Sequence, residues 1–265
     1  MKTIILILSI IACTFTLQAQ QIKPDVVNSM GGSAQNATVS LSYSVGEPVI
    51  GTASGSSATL TQGFLQTWKA MVQGHIALKL FLEGLYAGNS AMRQAQSVSG
   101  AQFAAGIADK VTIELHDATT PYAVAYTFTN IDLHTDGSVN ISNLPGNITG
   151  LYYLVIKHRN SIETWSSAPV DFTANPQGNY DFSTSASQAY GNNLKSMGSI
   201  YAIYSGDASQ DGLVDGSDMA AIDNASTAIQ TGYYPEDING DGLVDASDMA
   251  IIDNNSTAVV HVMKP

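Results

Sequence analysis

The chain has 265 residues, enough for two folded parts and a leader, with only 12% charged residues and a formal net charge of -12. Residues 206–265 hold eleven of the 22 acids and, of the ten Lys and Arg, only Lys264, which leaves a local excess of ten negative charges. Phosphate backbones and anionic lipid repel such a surface, and no basic stripe offsets it, so nucleic acid and membrane surfaces are excluded as partners.

Met1 to Gln20 carries one positive charge at Lys2, an apolar run from Ile4 to Leu17 and a cleavage point after Ala19 or Gln20, the pattern of a secretory signal over residues 1–20. The run is too short to span a bilayer, and no later stretch approaches the roughly 20 apolar residues a span needs. A secreted or cell-surface location follows. The only cysteine, Cys13, lies in the leader, so a mature chain has no disulfide. Ile10-Ile11-Ala12-Cys13 loosely fits a lipoprotein box, which makes lipidation of Cys13 the alternative outcome of processing.

Beyond the leader, Gly, Ser, Thr and Asn alternate with Val, Ile, Tyr and Phe, which predicts a mainly β protein of short strands and turns. Residues 22–68 form a small β segment: Thr38 to Val45 and Ala58 to Phe64 alternate at the period of half-buried strands, punctuated by Gly31-Gly32, Gly46 and Gly55. Residues 75–205 carry a second series, Ile76–Leu85, Lys110–His116, Ala123–Phe128, Ser138–Ile141, Leu151–His158 and Ile200–Tyr204. Turn signals such as Asp136-Gly137 separate them, a spacing that predicts an Ig-like β-sandwich.

Residues 206–260 repeat themselves. Asp207 to Asp218 aligns with Asp237 to Asp248, and Met219-Ala-Ala-Ile-Asp-Asn224 with Met249-Ala-Ile-Ile-Asp-Asn254. Both loops place oxygen-bearing residues at alternate positions around a glycine, the arrangement a hard cation such as Ca²⁺ requires. In the first, Asp207, Ser209 and Asp211 ligate by side chain, Gly212 permits the turn, Leu213 offers its carbonyl, Asp215 reaches the ion directly or through water, and Asp218 closes the loop. Asp237, Asn239, Asp241, Gly242, Leu243, Asp245 and Asp248 repeat these roles, which predicts two calcium ions.

The closing residue is Asp where EF-hands use Glu, and one helix follows each loop. In both respects the tandem resembles type I dockerin domains, with Val214 and Val244 at the apolar position that pairs loops. The resemblance implies calcium binding, a small α-helical domain of two loop–helix repeats, and docking onto a cohesin-like module, chiefly in assemblies that degrade polysaccharides. Residues near Gly216-Ser217 and Ala246-Ser247, with the helix faces, are the expected partner surface. The helices depart from the pattern: Met219 to Asn224 and Met249 to Asn254 contain no Lys or Arg.

Leu151 to Trp165, Ala189 to Leu194, and Ser40 to Phe64 with its Ser44-Val-Gly-Glu-Pro48 resemble pieces of surface proteins exported by type IX secretion in Gram-negative bacteria. That likeness implies export and surface association. His158, Arg159, Glu163 and Trp165 form a polar cluster with two readings, a structural turn or a glycan-binding patch in which Trp165 stacks on a sugar. No catalytic motif occurs, and the five His are scattered; Glu83, Glu114 and Glu163 are read as solvent-facing strand positions, with a glycosidase pair as the alternative. The leading expectation is an exported, non-catalytic calcium-binding protein. A glycan-binding adhesin with structural calcium, or a glycan-active hydrolase, are the competing classes.

Overall fold

The computed structural model describes residues 30–35, 40–45, 50–54, 59–62, 74–145, 148–173 and 177–265. The leader with Cys13 lies outside the described residues, as do Gly46, Gly55 and Phe64. The chain divides into two compact units between Met71 and Val72.

In the first unit, β1 (Met30–Gln35), β2 (Ser40–Val45), β3 (Ile50–Ser54) and β4 (Thr59–Gln62) form an antiparallel meander in chain order. Gly31 and Gly32 do not punctuate this sheet. They lie within β1, opposite Ser44 and Tyr43, where ladder pairing outweighs the weak strand preference of glycine.

The second unit is built on β5 (Gly74–Lys79), β6 (Ile107–Asp117), β7 (Val124–His134), β8 (Ser138–Leu144), β9 (Leu151–His158), β10 (Ser161–Trp165), β11 (Val170–Asp171) and β12 (Gln177–Asp181). Their order is β10-β9-β6-β7-β8-β5-β12, with β11 also on β9. All pairs are antiparallel except β12 with β5. The β7–β8 corner is held by one ladder pair, Leu133 with Val139, and there the sheet curls over. Ile113, Leu115, Leu154 and Ile156 from one half and Ile76, Leu78, Val139 and Ile141 from the other then share one core.

Three elements escape sequence periodicity. β12 is polar (Gln-Gly-Asn-Tyr-Asp) and exists through its parallel pairing with β5, with Gly178 pressed against the Phe172 ring. The apolar run after Lys79 stays buried but leaves the sheet, joining Ile203 through a single bridge at Leu82. The expected strand over Ile200–Tyr204 is reduced to Tyr201–Ala202.

The core does not stop at the acidic tail. Helices α1 (Gly216–Thr227) and α2 (Ala246–Thr257) contribute Ile222 and Ile252, and the segments before them contribute Val214, Ile238 and Val244, to the same buried cluster as the sheet. The approach is tightest at Gly84, where an added Cβ would sit 2.1 Å from the Ile238 carbonyl oxygen. No side-chain rotation relieves a clash with main chain, so Gly84→Ala is expected to cost about 2–3 kcal/mol in denaturant unfolding, the upper range for overpacking. An unchanged midpoint would mean that this approach is not maintained.

Candidate functional site

Each acidic loop is organised by its first and last aspartate. Asp207 accepts hydrogen bonds from the Asp211 and Gly212 amides at 3.1 and 3.2 Å; Asp237 accepts from Asp241 and Gly242 at 3.1 and 3.0 Å. Asp218 accepts from the Ser209 and Asp215 amides at 2.9 and 3.0 Å, and Asp248 accepts from Asn239 and Asp245 at the same two distances. Gly212 and Gly242 have φ of +87° and +85°, a conformation that side chains rarely adopt. The loops are therefore superposable in their hydrogen bonding as well as in sequence.

Asp207, Asp218, Asp237 and Asp248 are all buried, whereas Asp211 and Asp241 face solvent. Burial, reinforced by Asp218 and Asp211, pushes the Asp207 carboxyl up to about 6. Burial does the same to Asp237, to about 6, although the Arg159 guanidinium opposes it. Asp248 is also raised, chiefly by burial. Among the described residues, no three His, Cys, Asp or Glu side chains converge tightly enough to enclose an ion by themselves.

Asp215 and Asp245 act as N-caps. Each accepts at 2.7 Å from both the amide and the hydroxyl of Ser217 or Ser247, which holds the Asp215 and Asp245 carboxyls below the usual range. Asn239 has a braced side chain, donating to Ser247 Oγ at 2.6 Å and accepting from the Asp241 amide at 2.8 Å, while Ser209 at the matching position is exposed. An open cavity of about 390 Å³ beside the first loop is lined by Asp207, Asp211, Gly212, Lys157, Glu163 and Lys264, giving that loop access to solvent.

Val214 and Val244 do not pair the loops with each other. The Val214 amide donates to the Val260 carbonyl at 2.9 Å and the Val244 amide to Gln230 at 3.0 Å, with bridges from Leu213 to His261 and from Leu243 to Thr231. Each loop thus pairs with the segment that follows the other loop's helix. The turn that delivers each segment carries an exposed β-branched residue in left-handed backbone: Ile229 (φ 52°) and Val259 (φ 55°), 75% and 65% exposed. Glycine fits this helix-terminating position without strain. Ile229→Gly and Val259→Gly are each expected to raise unfolding stability by about 1 kcal/mol, the cost of a left-handed L-residue, as a shift in denaturant midpoint.

The polar cluster read from the sequence is split. Trp165 is 4% exposed, donates to Glu163 at 2.6 Å and lies against His116 at 4.4 Å between ring centroids, so its face cannot stack on a sugar. His158 and Arg159 belong to a different, buried cluster centred on Asp109. His158 Nε2 lies 3.1 Å from Asp109 Oδ2, Arg159 Nε donates to the same oxygen at 3.2 Å, and the Tyr233 hydroxyl donates to Oδ1 at 2.6 Å. Burial works to raise Asp109, but the charges of His158 and Arg159 and the hydrogen bonds of His158 and Tyr233 outweigh it and hold the carboxyl far below its usual range. Ser161 Oγ lies 3.0 Å from His158 Nδ1 and completes an Asp–His–Ser chain, but Ser161 is 1% exposed and shares its hydroxyl with Ser205, which makes the chain structural.

Of the three glutamates expected to face solvent, two do not, and Glu163 is half-buried. Glu83 and Glu114 are buried: Glu83 joins Lys195 and Asn255, while Glu114 and Glu163 both flank the Lys157 ammonium, at 3.0 and 3.4 Å. Burial raises Glu114, but His116 and Lys157 prevail and keep it ionised. A carboxylate so held is a poor general acid.

No family model and no curated protein matches the chain. Among solved structures it is similar to chains of two interface mutants of a type II cohesin–X-dockerin complex from Acetivibrio cellulolyticus, one mutated at the C-terminal and one at the N-terminal interface. Each is 17% identical over 68% of this chain and 94% of that chain, with TM-scores of 0.40 and 0.36. At these values the likeness defines neither fold nor family. Among the described residues, no helix is long and apolar enough to cross a membrane.

Proposed function

We propose that this is an exported, non-catalytic protein whose two acidic loops each bind one calcium ion, and whose dockerin-like tail serves docking or structural capping at the cell surface. The observation that carries the reading is the frame repeated in both loops, in which two buried aspartates and a left-handed glycine organise an oxygen-rich turn. The donor set fits calcium: Asp207, Ser209, Asp211, Leu213, Asp215 and Asp218 in one loop, Asp237, Asn239, Asp241, Leu243, Asp245 and Asp248 in the other, are oxygen donors only. Asp207 and Asp218 are buried together and repel each other, a situation that a divalent cation relieves. When bound, the ion supplies charge neutralisation and structure. The chain's own residues orient the donors through backbone amides and cap the helices that follow.

For docking, the supporting feature is a groove of about 260 Å³ between the helices, lined by Met219, Ala246, Met249, Ala250 and Asp253. Methionines adapt to varied partners. A cohesin-like module in a polysaccharide-processing assembly is the partner that the dockerin likeness implies. The glycan reading loses its stacking residue with the burial of Trp165, and the hydrolase reading is weakened because Glu83 is tied to Lys195 and Asn255 while Glu114 and Glu163 both flank Lys157.

Calorimetric titration of the exported chain with Ca²⁺ tests the metal reading. Two binding events are expected, both absent in an Asp207→Ala, Asp237→Ala double variant. A wild-type protein that takes up no calcium overturns the proposal. A pull-down with calcium or chelator then separates docking from capping.

A further inference from the structure

The two loops are nearly identical in sequence but are not equivalently placed. The β9–β10 turn of the sheet, Arg159 and Asn160, reaches into the second loop. Asn160 Nδ2 donates to the carbonyls of Asp237 and Pro235 at 2.9 and 3.1 Å, and Arg159 Nη1 donates to the Asp237 carbonyl at 2.8 Å and to that of Tyr234. Asn160 is 1% exposed, and the Arg159 guanidinium is fixed from behind by Asp109 and lies 4.5 Å from the Tyr233 ring centroid. The first loop receives one backbone bond from this turn, from the Gly206 amide to the Asn160 carbonyl at 2.7 Å. Its Asp207 carbonyl is instead held from within the loop, by Gln210.

We infer that Arg159 and Asn160 are positioning residues for the second ion site: they fix the Asp237 backbone from the sheet, so that this loop is preformed without metal while the first is shaped by its own ion. The inference rests on the calcium reading above. Its physical basis is that apparent affinity falls in proportion to the fraction of time a loop spends in its binding-competent shape. Two side-chain hydrogen bonds converge on the carbonyl of the residue that supplies the first donor of the second loop, one from Arg159, which Asp109 holds in place, and one from the buried Asn160. Removing the Asn160 donor takes one hydrogen bond from the Pro235 carbonyl, leaves the Asp237 carbonyl with Arg159 alone, and lets the loop open between binding events.

The test separates the sites. In an Asp207→Ala background only the second loop can bind, and in an Asp237→Ala background only the first. Asn160→Ala is introduced into each, and Ca²⁺ affinity is measured by calorimetry on the full chain. The expected result is a loss of about tenfold or more at the second site, the scale of a buried hydrogen-bond donor, with less than a threefold change at the first. Arg159→Lys, which keeps the charge but not the forked contact, is expected to act in the same direction and carries the test if Asn160→Ala does not fold. Amide hydrogen exchange without calcium provides the readout that a general loss of stability does not move: protection at Asp241 and Gly242 falls in the variant while that of the β6–β9 ladder is kept. Equal losses at both sites, or none at the second, overturn the inference. No calcium binding by either single-loop background with Asn160 intact overturns the calcium reading instead.

Discussion

On the proposed calcium sites, chelation is expected to lower the thermal midpoint of the protein by roughly 10–20 °C. Each ion that binds only the folded form at about a hundred times its dissociation constant contributes about 2.7 kcal/mol, and for a domain of this size each kcal/mol moves the midpoint by about 2–4 °C. The loss extends beyond the loops because Val214, Ile222, Ile238, Val244 and Ile252 belong to the core that the sheet also uses. Scanning calorimetry with and without chelator therefore should show the transition of the second unit moving as a whole, loops and sheet together. A midpoint that ignores the chelator contradicts structural calcium.

Asp109→Ala is expected to cost about 3–5 kcal/mol, the usual penalty for stranding a buried charge. The substitution removes the partner of Arg159 and His158 and the acceptor of the Tyr233 hydroxyl at a site where Asp109 and His158 are buried. Acid probes the same cluster without mutation. The folded Asp109 carboxyl lies far below its unfolded value, held there against burial by His158, Arg159 and Tyr233. A carboxyl shifted in this direction contributes stability that is fully present above its unfolded value, near pH 4, and is lost as pH falls from there through the folded value. Urea midpoints should therefore drop steeply below about pH 4 in the wild type. In Asp109→Ala that part of the slope should vanish; an unchanged acid slope would place the lability elsewhere.

How much of this was legible in the sequence depends on the range of the interaction. The strands β6, β8 and β9 follow from short apolar and β-branched runs bounded by turn residues, and the helices after the loops follow from the dockerin resemblance. β12 could not be read, since its polar residues form a strand only against β5. The acidic loops stand out because each packs oxygen donors and glycine into twelve consecutive residues. Arg159 was visible as part of a polar cluster, read as a structural turn or a glycan-binding patch, and nothing marked Asn160. Their partners, Asp109 and the carbonyls of Asp237 and Tyr234, lie fifty to seventy-eight positions away. Glu114 and Glu163 illustrate the converse: the sequence offered them as surface residues or a catalytic pair, and Lys157 gives them a third role that no spacing announces.

The crossed pairing of the repeats has a consequence for the order in which the chain can fold. The first loop's edge is completed by Val260 to Val262, nearly fifty residues downstream, and the second loop's by Gln230 to Gly232. Neither repeat is a finished unit while the chain is still emerging, so the upstream loop remains open until its far end has appeared. Deleting the last six residues should thus open the acidic loop that begins at Asp207 before the one nearer the cut, a long-range closure that sets late assembly against the local repeat that the sequence suggests.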